Sequence, residues 1–166
     1  MAMADSYGFK VIFPLIGDYN VLANNNDTVI RQYLMNQIDE VGNSSALLMW
    51  VIGNELPLQE TGLVARLNNL MDFVRNYTFA TWQRIIPVTI AVADDPTTYE
   101  NLMSTLKVDV FSSNAGYRGN TFQDLWSGSS SYPGFSQLTQ TYNKPLFISE
   151  IGWSSTNPMD SGTFTK

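Results

Sequence analysis

Two patterns of apolar residues alternate along the chain. Short, nearly continuous apolar runs are separated by longer stretches in which apolar residues return every three or four positions. The first run, Gly8–Ile16, is rich in β-branched and aromatic residues and stops at Gly17. It predicts a buried strand. Thr28–Val41 then places Val29, Ile30, Tyr33, Leu34, Ile38 and Val41 at helical spacing. Asp27 or Asn26 suits its N-cap, and Gly42 its stop. Ala46–Ile52 predicts a second strand, Leu63–Val74 a helix, and Ile85–Val92 a third strand with Pro87 near its start. Asp95-Pro96 opens a helix that runs to about Leu106, with Asp at the N-cap and Pro at the first helical position. Val108–Ser112 predicts a fourth strand, Ser136–Tyr142 a short helix, and Leu146–Ser149 a fifth strand. Gly119–Gly134 reads as a long loop, rich in Ser over Ser127–Ser131.

Strands separated by helices imply parallel β/α units. The strands are apolar throughout rather than alternating, as expected when both sheet faces are covered. Two architectures fit: an open doubly wound sheet, or part of a closed barrel. No Gly-rich phosphate loop follows any strand, and Gly116-Tyr117-Arg118-Gly119 is not a dinucleotide fingerprint. That argues against a nucleotide-binding sheet.

Composition narrows the chemistry more than the fold. The 166 residues suffice for one domain with a sizeable core. The net charge of −6 makes a poor binder of nucleic-acid phosphates or of an anionic membrane surface. There is no His and no Cys. This removes most zinc and copper ligand sets, iron–sulfur clusters, disulfides, Cys nucleophiles and any Ser-His-Asp triad. Carboxylate, Tyr and Lys chemistry is left, and neither cofactor nor metal is expected. Aromatic residues make up 13%, which suits core packing first and sugar faces second. No apolar run reaches the roughly 18 residues of a membrane span. Met1–Asp5 has neither the basic nor the apolar region of a signal peptide. Sequons at Asn26, Asn43 and Asn76 hint at a secreted or cell-surface setting.

The strongest functional signal lies at the strand ends. The run Ala46–Ile52 ends in Gly53-Asn54-Glu55, and Leu146–Ser149 ends directly in Glu150. Two carboxylates are thereby expected at the same end of one parallel sheet. In a (β/α)8 barrel that end carries the active site. On position alone, each Glu could equally cap a helix or pair with a basic side chain.

The surrounding residues, Met49-Trp50-Val51-Ile52-Gly53-Asn54-Glu55 and Leu146-Phe147-Ile148-Ser149-Glu150-Ile151-Gly152-Trp153, resemble the retaining glycoside hydrolases of clan A, which include families 2, 5, 17 and 72. Ser149–Ser155 is particularly similar to the nucleophile strand of families that cleave β-1,3-glucan. The resemblance implies a (β/α)8 barrel of which only the third to seventh strands are present, in one domain over residues 1–166. It implies Glu55 as acid/base and Glu150 as nucleophile. It also implies Asn54 as a ligand of the substrate 2-hydroxyl, Tyr117 as a hydroxyl donor to Glu150, and no cofactor. In relatives an Asn often lies two residues before that Tyr. Here Asn114 lies three before Tyr117, a departure from the pattern. Trp153 is a candidate sugar platform or a plain core aromatic, and Trp126 and Tyr132 are weaker candidates for outer subsites.

Retaining cleavage needs two carboxyl groups about 5–5.5 Å apart. Glu150 would attack the anomeric carbon. Glu55, expected partly buried, would protonate the leaving oxygen and then activate water or a second sugar. The expected activity is retaining hydrolysis or transglycosylation of a β-linked glucan, with an oligo- or polysaccharide as partner. The competing expectation is a non-catalytic carbohydrate-binding or structural module derived from such a barrel. An open five-stranded piece also predicts self-association, or completion by the remainder of a longer chain.

Overall fold

A computed structural model describes residues 1–116 and 122–151. The elements follow in order: α1 (Ala2–Tyr7), β1 (Val11–Pro14), α2 (Tyr19–Ala23), α3 (Asp27–Val41), β2 (Leu47–Asn54), α4 (Leu63–Trp82) and β3 (Val88–Val92). Then come α5 (Pro96–Thr105), β4 (Phe111–Ala115), α6 (Phe122–Ser127), β5 (Gly128–Ser129), β6 (Tyr132–Pro133), α7 (Phe135–Tyr142) and β7 (Leu146–Ile151). Five strands form one sheet in the order β1-β2-β3-β4-β7, every neighbouring pair parallel. The sheet curls into a half-barrel with its helices outside. β5 and β6 form a separate small antiparallel hairpin.

The two faces of the sheet differ in chemistry. Trp50, Ile52, Val88, Ile90, Val92 and Phe111 join one buried cluster with helix residues such as Leu67, Met71 and Met103. The alternate positions of the central strands are small or polar. They include Thr89, Ala91, Ser112 and Asn114, all buried. Because side chains alternate across a strand, bulky residues fill the helix side, and small ones leave room for the concave side to curve.

Local chemistry explains most element ends. Asn26 caps α3 by accepting from Val29 N–H at 3.1 Å. Pro96 stands first in α5, where its missing N–H costs nothing. The Asp95 side chain takes the Thr97 hydroxyl at 2.7 Å instead of a backbone N–H. α4 runs to Trp82, beyond the expected Val74, because Thr78 continues the buried stripe. β4 starts at Phe111 rather than Val108. Asp109 is occupied in fastening the chain to the start of β3: its N–H donates to the Val88 carbonyl at 2.9 Å, and its carboxylate accepts from Val88 N–H at 2.8 Å. The stretch expected as a loop holds α6 and the β5–β6 hairpin.

Candidate active site

β2 delivers the first carboxylate. Glu55 directly follows its last residue, Asn54. The chain turns sharply here because Leu56 folds back over Gly53: a Cβ at position 53 would lie 2.5 Å from Leu56 Cδ1 and 2.9 Å from its Cγ. Glu55 itself takes a left-handed conformation, with φ at +46°. For a residue with a Cβ this costs roughly 1–2 kcal/mol, so neighbouring contacts must hold it. Glu55 N–H donates to the Ala91 carbonyl of β3 at 2.8 Å, and Leu56 is buried beneath the turn.

β7 delivers the second. Its register against β4 pairs Ser113 with Ile148 and Asn114 with Glu150, leaving Ser149 as the extra residue of a bulge. Such bulges re-aim side chains near functional sites. Glu55 and Glu150 thus stand at the C-terminal ends of two parallel strands separated by β3 and β4. Both are exposed, whereas the sequence led us to expect Glu55 partly buried. Glu55 is exposed because the left-handed turn places it beyond the end of the strand, clear of the packed layer.

Asn114 links Glu55 to β7, the strand that carries Glu150. It is completely buried. Its Nδ2 donates to Glu55 Oε1 at 2.9 Å and to Asn54 Oδ1 at 3.1 Å, while its Oδ1 accepts from Ser149 Oγ at 2.7 Å. The nitrogen faces Asn54 and Glu55, and the oxygen faces the Ser149 hydroxyl. Both amide protons and the amide oxygen are thereby satisfied. Next along β4, Ser113 points the other way, and its Oγ shares a 2.7 Å hydrogen bond with the Tyr99 hydroxyl of α5. Burial pushes the Tyr99 hydroxyl upward in pKa, so the phenol stays neutral and locks β4 to its helix.

A cleft of about 560 Å³ opens beside Glu55, between the loops that follow β2 and β3. Leu56, Leu58 and Leu102 line it together with Gln59, Asp95, Thr98 and Asn101. Among the described residues no group of His, Cys, Asp and Glu could hold a metal ion, and no helix is long and apolar enough to cross a membrane.

The structure therefore brings Asn54 and Glu55 together and sets Glu150 on the same rim. Tyr117 and Trp153 lie outside the described residues. Trp126, on α6, is partly exposed, and Tyr132, in β6, is half-buried. Sequence reasoning missed Asn114 and Ser149 as members of the site. The available signal was Asn114 itself, placed one position further from Tyr117 than in relatives; the structure gives it a place at the centre of the network.

The glucanosyltransferase model of glycoside hydrolase family 72 matches residues 16–165. The chain belongs to this family. Several solved structures share the fold. Saccharomyces cerevisiae Gas2p in complex with laminaritriose and laminaritetraose is 25% identical, with a TM-score of 0.67 over 92% of this chain. A glycosyl hydrolase family 2 member from Bacteroides cellulosilyticus is 20% identical with a TM-score of 0.59 over 89% of this chain. A β-D-glucuronidase from Dictyoglomus thermophilum is 18% identical with a TM-score of 0.57 over 90% of this chain. The chain spans only part of each: 37% of the Gas2p chain, 17% of the Bacteroides enzyme and 27% of the Dictyoglomus enzyme. No curated protein matches the chain.

Proposed function

We propose that this chain is the catalytic portion of a retaining β-glucan glycosidase or transglycosidase, with Glu150 as nucleophile and Glu55 as acid/base. The observation that carries the reading is the family 72 match over residues 16–165, together with two glutamates at the C-terminal ends of β2 and β7. Support for a β-1,3-linked substrate comes from Gas2p, whose structures hold laminari-oligosaccharides.

The chemistry follows double displacement. Glu150 attacks the anomeric carbon while Glu55 passes its proton to the leaving oxygen, which departs with the reducing-side sugar. The ionised Glu55 then takes a proton from the hydroxyl of a second glucan, or from water. That oxygen displaces Glu150 from the anomeric carbon. Asn54 Oδ1 is engaged by Asn114, so the amide nitrogen is what Asn54 offers a substrate 2-hydroxyl. Tyr117 and Trp153 keep the roles expected from the resemblance: a hydroxyl donor to Glu150 and a sugar platform.

The same reading places the protein outside the cell or at its surface, with Asn26, Asn43 and Asn76 exposed as glycosylation acceptors. β1 and β7 stand at the two ends of the described sheet. Their outer edges fit completion by further strands, from a second copy or from the remainder of a longer chain. Incubation with a laminari-oligosaccharide of defined length should give products both longer and shorter than the input, and the Glu150→Gln variant should give neither. Unchanged oligosaccharide with both proteins would leave a non-catalytic glucan-binding module as the better account.

A further inference from the structure

We infer that Asn114 is the positioning residue of the acid/base: its side-chain amide fixes the Glu55 carboxyl group and ties it to the strand that carries Glu150. The inference rests on the reading of Glu55 as acid/base.

The argument begins with how little else holds Glu55. It lies past the end of β2, its side chain is exposed, and its backbone is in the left-handed region at φ +46°. An exposed Glu on such a turn has three side-chain torsions and no packing to select among them. A hydrogen bond from a rigid donor is the simplest device that can. Asn114 is such a donor. It is completely buried, and its amide is held from the far side by Ser149 Oγ at 2.7 Å. Its strand is locked to α5 by the Ser113–Tyr99 hydrogen bond at 2.7 Å. The same amide group also fixes Asn54.

The network therefore crosses the sheet, from Ser149 in β7, through Asn114 in β4, to Glu55 after β2. Asn114 is in register with Glu150 itself. A shift of β7 against β4 would draw Ser149 away from Asn114 Oδ1 and release the amide that aims Glu55. A buried Asn used only for stability would do as well bonded to backbone. This one spends both amide protons on the two residues of the Asn-Glu pair.

The test compares substrates that need the acid with substrates that do not. A laminari-oligosaccharide has a poor leaving group and requires protonation by Glu55, whereas a 2,4-dinitrophenyl β-laminarioside does not. Asn114→Ala and, as a milder change at a half-buried position, Ser149→Ala are assayed on both. The expected result for Asn114→Ala is a fall of about 100-fold in kcat/KM on the oligosaccharide and no more than about threefold on the activated glycoside, with the loss in kcat. Ser149→Ala is expected to show the same selectivity, more weakly. Equal losses on both substrates, or no loss on either, would overturn the inference.

A second readout does not depend on turnover. The side-chain amide protons of Asn114, followed by NMR, should shift on Glu55→Ala; unmoved resonances would also overturn it. If the unaltered chain processes neither substrate, it is the catalytic reading that fails, and the NMR result alone then decides whether Asn114 holds Glu55.

Discussion

Gly53 shows how much of the site rests on single residues. Leu56 folds back to within 2.5 Å of where a Cβ at position 53 would sit. That fold is what turns the chain into the strained conformation of Glu55. Gly53→Ala should force the buried Leu56 aside and cost about 1–3 kcal/mol of stability, as overpacking of a closed site does. On the proposed reading the same displacement should also lower transglycosylation, because Glu55 is the residue before Leu56. Urea unfolding and product analysis check both effects, and a variant with unchanged midpoint and activity would show that Leu56 has room to move. At this scale the sequence was informative where a side chain stands next to a motif. Glu55, Asn54 and Glu150 could all be located from their apolar strands. Asn114 was marked only by its spacing from Tyr117, and its role stayed hidden because its partners Asn54, Glu55 and Ser149 are 60, 59 and 35 residues away in sequence. No local pattern encodes such a meeting.

Among the elements, those with bulky periodic residues were the legible ones. The helix-facing aliphatics of β3 and the stripe of α3 announce themselves. β4 does not, since its residues Phe111-Ser112-Ser113-Asn114-Ala115 are chosen for a small, polar inner face and for the bond to Tyr99. The apolar run just before it, Val108–Phe111, drew the expected strand towards its N-terminus. α6 and the two-residue strands β5 and β6 are too short for any period to show. α1 makes a different kind of contribution. The Asp5 carboxylate accepts from Ser45 Oγ at 2.6 Å, Ser44 Oγ at 2.7 Å and Ala46 N–H at 2.7 Å, fastening the first helix to the segment that leads into β2. The Ser45 hydroxyl foremost, then that of Ser44, holds the Asp5 carboxyl below its usual value of 3.8. A depressed folded-state value means stability that is present above 3.8 and lost as pH falls through the folded-state value. Asp5→Asn should therefore be less stable than the unaltered protein at neutral pH and equal to it in strong acid. Unfolding midpoints measured at both pH values check this, and a gap that persists in acid would assign the effect to packing instead.

For the whole molecule, the architecture concentrates its chemistry on one rim. Five parallel strands all end on that side, so loops far apart in sequence converge there. With no His and no Cys, the proposed chemistry on that rim falls to carboxylate, Tyr and Lys side chains. The part of the fold present spans about a third of the Gas2p chain, and it holds both glutamates of the proposed reaction. Trapping the covalent intermediate tests that reaction directly. The chain is incubated with a 2-deoxy-2-fluoro β-laminarioside bearing an activated leaving group, then digested and examined by mass spectrometry. A glycosyl adduct on the peptide containing Glu150, absent from Glu150→Gln, is the predicted result. An adduct on another carboxylate, or none under conditions where intact Gas2p is labelled, would contradict the assignment of Glu150 as the nucleophile of a working site.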